Sequence, residues 1–212
     1  MAREATRSRW GWGLRSRWIA LALLCLVGAA APARGEVFLS QREALALAFP
    51  GADRVERKST LLDAAQAQVV EELSGAPLES KLVTLHAGFR GDELLGYALI
   101  DVHTVRTLPE AFLIVLSPDG RVTNLRLLAF YEPSEYKPGE HFLAQFDART
   151  LDPELRLGGA FHGIAGASLS SRAVTTGVRR SLALYQVLVA QPEGGVAIGR
   201  TSVSGPTGAG GR

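Results

Sequence analysis

The chain has 212 residues, 47% apolar and 21% charged, which is enough for one domain with a substantial core. Its formal net charge of +2 is unevenly placed: residues 1–35 carry six arginines and one acid, while the remainder carries 17 basic and 20 acidic residues. Basicity therefore belongs to the leader, and the globular part gives no case for nucleic acid as a partner.

The leader reads as an export signal. Its arginine-rich start precedes the apolar run Trp18 to Ala31, about 14 residues long and short of the roughly 20 a spanning helix needs. Small residues at Ala33 and Gly35 place the cut before Glu36, with Ala31-Pro32-Ala33 as the alternative cut and an uncleaved anchor as the alternative fate. Cys25 is the single cysteine and lies inside this leader, with Leu24 where a lipoprotein signal needs a small residue. The rest of the chain then has no disulfide, cysteine zinc site or thiolate nucleophile, which suits an oxidising compartment. The expected location is periplasmic, or the outer face of the cytoplasmic membrane.

Beyond the leader, Ser40 and Glu43 form the pattern of a capping box ahead of an apolar helical stripe that ends at Pro50-Gly51. A second helix is expected over Leu61 to Gly75, with the glycine as its stop. Three stretches rich in β-branched and aromatic residues follow: 81–90, 93–106 and 111–130. Arg90-Gly91-Asp92 and Ser117-Pro118-Asp119-Gly120 supply the turns, so the strands pair antiparallel. A proline-bearing loop, Tyr131 to Glu140, leads to a short helical piece, HFLAQF. A helix is expected from Ser170 to Val189, and residues 191–212 read as a disordered Gly/Ser/Pro-rich tail. The expected organisation is a signal peptide over 1–35, one domain over 36–190 and the tail; the fold class is α+β, an antiparallel sheet flanked by helices.

Several chemistries find no support. Gly166-Ala167-Ser168-Leu169-Ser170 departs from G-x-S-x-G at its last position, so a serine hydrolase on Ser168 lacks its turn signature. The four histidines, His86, His103, His141 and His162, are widely spaced and make no metal motif. His86 and His103 fall in strands, where a hydrogen-bonded structural role is expected. No lysine completes a P-loop. What remains is a glycine turn running into a hydroxyl-rich helix start, Gly163 to Ser171. Free backbone amides, Ser168, Ser170, Ser171 and the nearby Arg172 suit an anion there; helix capping is the plainer use of the same hydroxyls.

The run His162-Gly163-Ile164-Ala165-Gly166-Ala167-Ser168, with Leu169-Ser170-Ser171-Arg172-Ala173-Val174-Thr175 after it, resembles the flavinylation motif of the extracytoplasmic FMN-binding domain family. Members serve the sodium-pumping NADH:quinone reductase and Rnf complexes or are small exported proteins. Tyr97 to Glu110, Ser117 to Gly120, and Glu132-Pro133-Ser134-Glu135-Tyr136 resemble the small exported members, and the likeness covers most of residues 37–190. The family motif is D-x-x-[S/T]-G-A-T, and a flavin transferase esterifies its final Thr with the FMN phosphate. The resemblance implies FMN, covalent or noncovalent, held by Ser168, Gly166, Ala167, His162, Ala165, Ser170 and Ser171, with Glu132 walling the flavin. It implies a flavin transferase and redox proteins at the membrane as partners, and an electron carrier rather than a stand-alone enzyme. Three positions depart from the pattern: His162 replaces the Asp, Ala165 the Ser/Thr, and Ser168 the acceptor Thr. A degenerate domain without flavin, acting as an interaction module, is the alternative. His103, Arg106, Tyr131 and Tyr136 are further positions near such a site, with ordinary sheet surface or local packing expected of them. Arg179 and Arg180 are expected on a solvated helix face.

Overall fold

A computed structural model describes residues 36–159 and 168–191. It is an α+β structure built on one six-stranded antiparallel sheet. The strands are β1 (Glu36–Val37), β2 (Arg54–Leu61), β3 (Leu82–Arg90), β4 (Glu93–Thr104), β5 (Pro109–Leu116) and β6 (Val122–Phe130), in the spatial order β1-β6-β5-β4-β3-β2. From β2 to β6 the sheet is a meander in which each strand pairs with its predecessor. Only β1 is out of sequence order, pairing with β6 through Glu36↔Phe130 and Val37↔Ala129.

The two expected turns hold the meander together. Between β3 and β4, Gly91 takes a positive φ and donates its amide to Asp53 Oδ2 at 2.6 Å. Between β5 and β6, the Ser117 hydroxyl donates to Asp119 at 2.5 Å and accepts from the Arg121 amide at 3.0 Å.

Helices cover both faces unequally. On one face lie α2 (Ala64–Ser74), α3 (Glu140–Leu143) and α4 (Ser168–Tyr185). Their apolar residues, Val70, Phe142, Val174, Val178 and Leu182, close the larger core over Leu85, Leu99, Phe112, Ile114 and Leu125. The other face carries α1 (Gln41–Ala48), whose Ala44 joins Phe49 on a smaller core of Ala98, Leu113, Val115 and Leu128. Strand alternation sends odd and even residues to opposite faces, so β4, β5 and β6 feed both cores.

The helix ends follow the residues. The Ser40 side chain accepts from Glu43 N, and Glu43 Oε2 accepts from Ser40 N, completing the expected capping box. Asp63 and Gln66 repeat the device at α2, which ends on Gly75 at φ 75°, where a side chain would be strained.

Two boundaries correct the sequence reading. Leu61 does not begin a helix: it ends β2, and α2 starts at Ala64. β2, RVERKSTL, carries four charges in its first five residues and has no fully buried residue, so its pairing with β3 forms it rather than burial. α4 is described from Ser168, the first residue after the undescribed 160–167, and its α-helical part ends at Tyr185, short of the expected Val189, where a π-helical turn over Gln186–Ala190 takes over. The leader and the tail from 192 lie outside the described residues.

Candidate functional site

The expected site centres on the start of α4. Ser168 opens the helix and is exposed. Ser170 and Ser171 are buried, at 1% and 0% exposure, and neither Oγ has a hydrogen-bond partner among the described residues. His162, Ala165, Gly166 and Ala167 lie outside the described residues.

What α4 packs against locates its first turn. Downstream, Gly177 sits so close to the sheet that a Cβ there would lie 2.5 Å from Asp101 Oδ2. Further on, Arg180 Nη1 donates to Asp101 Oδ1 at 2.8 Å, and the Tyr185 ring meets Tyr97 edge-on at 5.7 Å. As α4 advances, its partners on β4 retreat from 101 to 97, so the two run antiparallel. Ser170 precedes Gly177 by seven residues, roughly 10 Å of helix. The same distance along β4 from Asp101 reaches Thr104. The start of α4 therefore lies at the sheet end where β4 turns into β5.

That end holds a buried polar cluster. His103 Nδ1 is 2.6 Å from Asp101 Oδ2, and His103 Nε2 is 2.7 Å from Glu110 Oε1. All three are buried, and the imidazole stacks on Phe112 with ring centroids 6.1 Å apart. His103 and Glu110 are cross-strand partners, so the register of β4 and β5 fixes the pair. Burial opposes charge on His103, but its bonds to the Asp101 and Glu110 carboxylates outweigh it and raise its pKa to about 9. Burial also opposes charge on Asp101, yet His103 and Arg180 hold that carboxyl below its ordinary value. Glu110 goes the other way: burial raises it, against the bond from His103, and the charges of Asp101 and Glu132 raise it further. Among the described residues, Glu110 Oε2 and Arg180 Nε are buried without partners. Both imidazole nitrogens are taken by carboxylates, so His103 has no face left to act as base for a hydroxyl.

Glu132 is a buried loop carboxylate. It is 8% exposed, and its Oε1 accepts the amides of Arg106, Thr107 and Leu108 at 3.1, 2.8 and 2.9 Å. The amide bond from Thr107, then those from Leu108 and Arg106, hold its carboxyl below the usual value. One oxygen thus organises the β4–β5 loop at the same sheet end as the start of α4. The Arg106 guanidinium lies over the Tyr136 ring, 5.0 Å from its centroid, so Tyr136 packs locally as expected.

Three expectations are corrected here. His103 is not ordinary sheet surface, because it points under α4 into the cluster. Arg180 belongs to that cluster as well. Arg179 is not solvated: it donates to the carbonyls of Leu73 and Ser74 at the end of α2, and to those of Asp152 and Leu155. Arg172 is exposed as expected. His86 is buried, and its Nδ1 lacks a partner among the described residues. The sequence signal for the cluster was the acid-x-His spacing of Asp101 and His103, which gains meaning only when α4 is laid across it.

Among the described residues, no group of three or more His, Cys, Asp or Glu side chains is placed to hold a metal ion. A cavity of about 690 Å³ lies along the outer edge of β6, between Phe38, Leu127, Lys137 and Leu143, and none of the candidate residues lines it. Compared with known proteins, the chain matches no family model and no curated sequence.

Proposed function

We propose that the protein is an exported electron carrier that holds FMN at the start of α4, with Ser168 as the anchoring hydroxyl. The observation that carries this reading is the first described turn of α4: an exposed Ser168 beside two buried hydroxyls, Ser170 and Ser171, that have no partner among the described residues. Orphaned buried hydroxyls are rare and call for a polar group beside them. The donor set fits a phosphate, because the first turn of a helix leaves backbone amides free and places the positive end of its dipole there.

FMN would supply the redox chemistry, accepting and releasing electrons at its ring system. The chain's own residues bind and orient. Ser168 provides a primary hydroxyl able to form the phosphoester that the family makes on threonine. Ser170, Ser171 and the helix-start amides would hold the phosphate end. Glu132 fixes the loop beside them, and the Asp101–His103–Glu110–Arg180 cluster sets where α4 starts relative to the sheet. The partners implied are a flavin transferase and redox proteins at the membrane.

The test is the intact mass and visible spectrum of protein exported from cells that also express a flavin transferase. A gain of one FMN, with flavin absorbance surviving denaturation and lost in Ser168→Ala, supports covalent attachment. A colourless protein that binds free FMN in a titration supports a noncovalent site. A colourless protein that binds none overturns the flavin reading. The replaced motif positions His162 and Ala165 would then favour an interaction module.

A further inference from the structure

The two outer edges of the sheet are built differently. One belongs to β2, whose Arg54, Glu56, Arg57 and Lys58 supply the charge that keeps an edge strand from pairing further. The other is β6, and β1 covers only its far end. Glu36 pairs there with Phe130 and Val37 with Ala129, and the amides of Phe38 and Leu39 both donate to Leu128 O, at 2.8 and 3.2 Å. At the near end, Val122 bonds to Ala148 and Arg149 at 2.8 and 2.9 Å. Between these ends, Thr123–Leu127 has β5 on its inner side, and among the described residues no backbone bond joins its outer side. A strand turns alternate N–H and C=O groups away from its neighbour, so this stretch, about 17 Å long at the usual rise, is an open template. Its one charge is Arg126. It lines the cavity of about 690 Å³ together with Phe38, Lys137 and Leu143. Lys137 Nζ lies 5.1 Å from the centroid of the Phe38 ring. The open edge is therefore recessed and suits a single extended segment rather than the rim of another sheet.

We propose that this edge takes the chain's own segment Val196–Ser204 as an added strand running parallel to β6. The segment lies outside the described residues, and its sequence carries the signal of a strand. Val196, Ile198, Thr201 and Val203 are β-branched, and Gly194-Gly195 and Gly205-Pro206 bound the run. Nothing else in 192–212 has that pattern. A strand signal without a partner thus meets a sheet edge without one. The place where the described chain ends selects this occupant. Gln191 lines a cavity with Thr150, Asp119 and Gly120, and Thr150 follows Arg149, whose carbonyl accepts the Val122 amide. The chain therefore leaves the described part near the Val122 end of β6. The five steps from Gln191 to Val196 span up to about 17 Å, enough to carry it to Thr123. Continuing toward Leu128 follows β6 in its own direction, and α4 supplies the helical crossover that parallel neighbours need. Pro206, which has no N–H to donate, falls beyond the run. Main-chain bonds give such an added strand its affinity. The proposal does not depend on the flavin, because none of the residues assigned to FMN lines this cavity.

The test is amide hydrogen exchange on three proteins: the full chain, a chain ending at Gln191, and the full chain with Ile198→Pro, which removes a donor from the added strand. In the full chain, amides within Val196–Ser204 should exchange at least tenfold more slowly than in an unfolded chain, and equally so on hundredfold dilution. The outward-facing amides of Thr123–Leu127 should exchange at least tenfold faster in both variants, while the amides of β4 keep their rates. Should the truncation disturb β4 as well, the Ile198→Pro comparison decides. Exchange of Val196–Ser204 at the unfolded rate overturns the proposal, and so does an edge whose rates are the same in all three proteins. Protection that fades on dilution also overturns it and assigns the edge to the tail of a second copy.

Discussion

Arg180 and Asp101 stand 79 residues apart and are joined by an Nη1–Oδ1 bond of 2.8 Å that ties α4 to β4. The second oxygen of the same carboxylate holds His103 at 2.6 Å. Asp101 is thus shared between a helix cation and a strand cation. Losing one member of a buried pair leaves an uncompensated charge, which typically costs about 3–5 kcal/mol. Arg180 keeps some exposure, so Arg180→Met should cost less than Asp101→Asn, which strands two cations. Urea unfolding with unchanged m-value would give both numbers; equal, negligible effects would mean the cluster does not hold α4.

Gly177→Ala should destabilise the fold by about 1–3 kcal/mol, although alanine is the better helix former by about 1 kcal/mol. The reason is the approach of Asp101 Oδ2, 2.5 Å from where the methyl would sit, with His103 Cε1 at 3.6 Å. Unfolding free energy checks this, and the double variant with Asp101→Ala should recover part of the alanine penalty, since the clashing carboxylate is gone.

His103 should remain protonated well above neutrality, with a midpoint near the value of about 9. A raised folded-state pKa contributes stability in full below the ordinary value of 6.5, and that stability is lost as pH rises through about 9. At 1.36 kcal/mol per pKa unit the loss is on the order of 3 kcal/mol. Imidazole NMR titration reads the midpoint directly. Chemical unfolding at pH 7 and pH 10 should show a smaller difference in His103→Gln than in the wild type.

Glu132→Ala should free the amides of Arg106, Thr107 and Leu108, costing about 1–3 kcal/mol. Hydrogen exchange at those three amides should accelerate more than at the β4 centre. The lowered carboxyl pKa of Glu132 contributes stability above the ordinary glutamate range, lost as pH falls through the depressed value. The wild-type loop should therefore loosen in acid, and the alanine variant should show no further loosening there.

Ser168→Ala should leave the fold intact, because the residue is exposed at a helix start and loses at most a cap, about 1 kcal/mol. Circular dichroism would confirm the fold, so any loss of linked flavin could be assigned to the hydroxyl itself.

Local chemistry made much of this protein readable in one dimension. Ser40 with Glu43, the Gly75 stop, and the turns at Gly91 and Ser117–Gly120 act over two to four residues, so the sequence alone determined the helix start, the helix end and the meander of β3 to β6. The hydroxyl-rich start of α4 was visible for the same reason. What only the tertiary structure decided rests on distant partners. β2 becomes a strand because β3 pairs with it, since its own charged residues carry no burial signal. Asp101, His103, Glu110 and Arg180 lie as much as 79 residues apart and look like scattered surface charge until α4 crosses β4. Glu132 turns from a loop acid into a clamp once three amides from another loop converge on it.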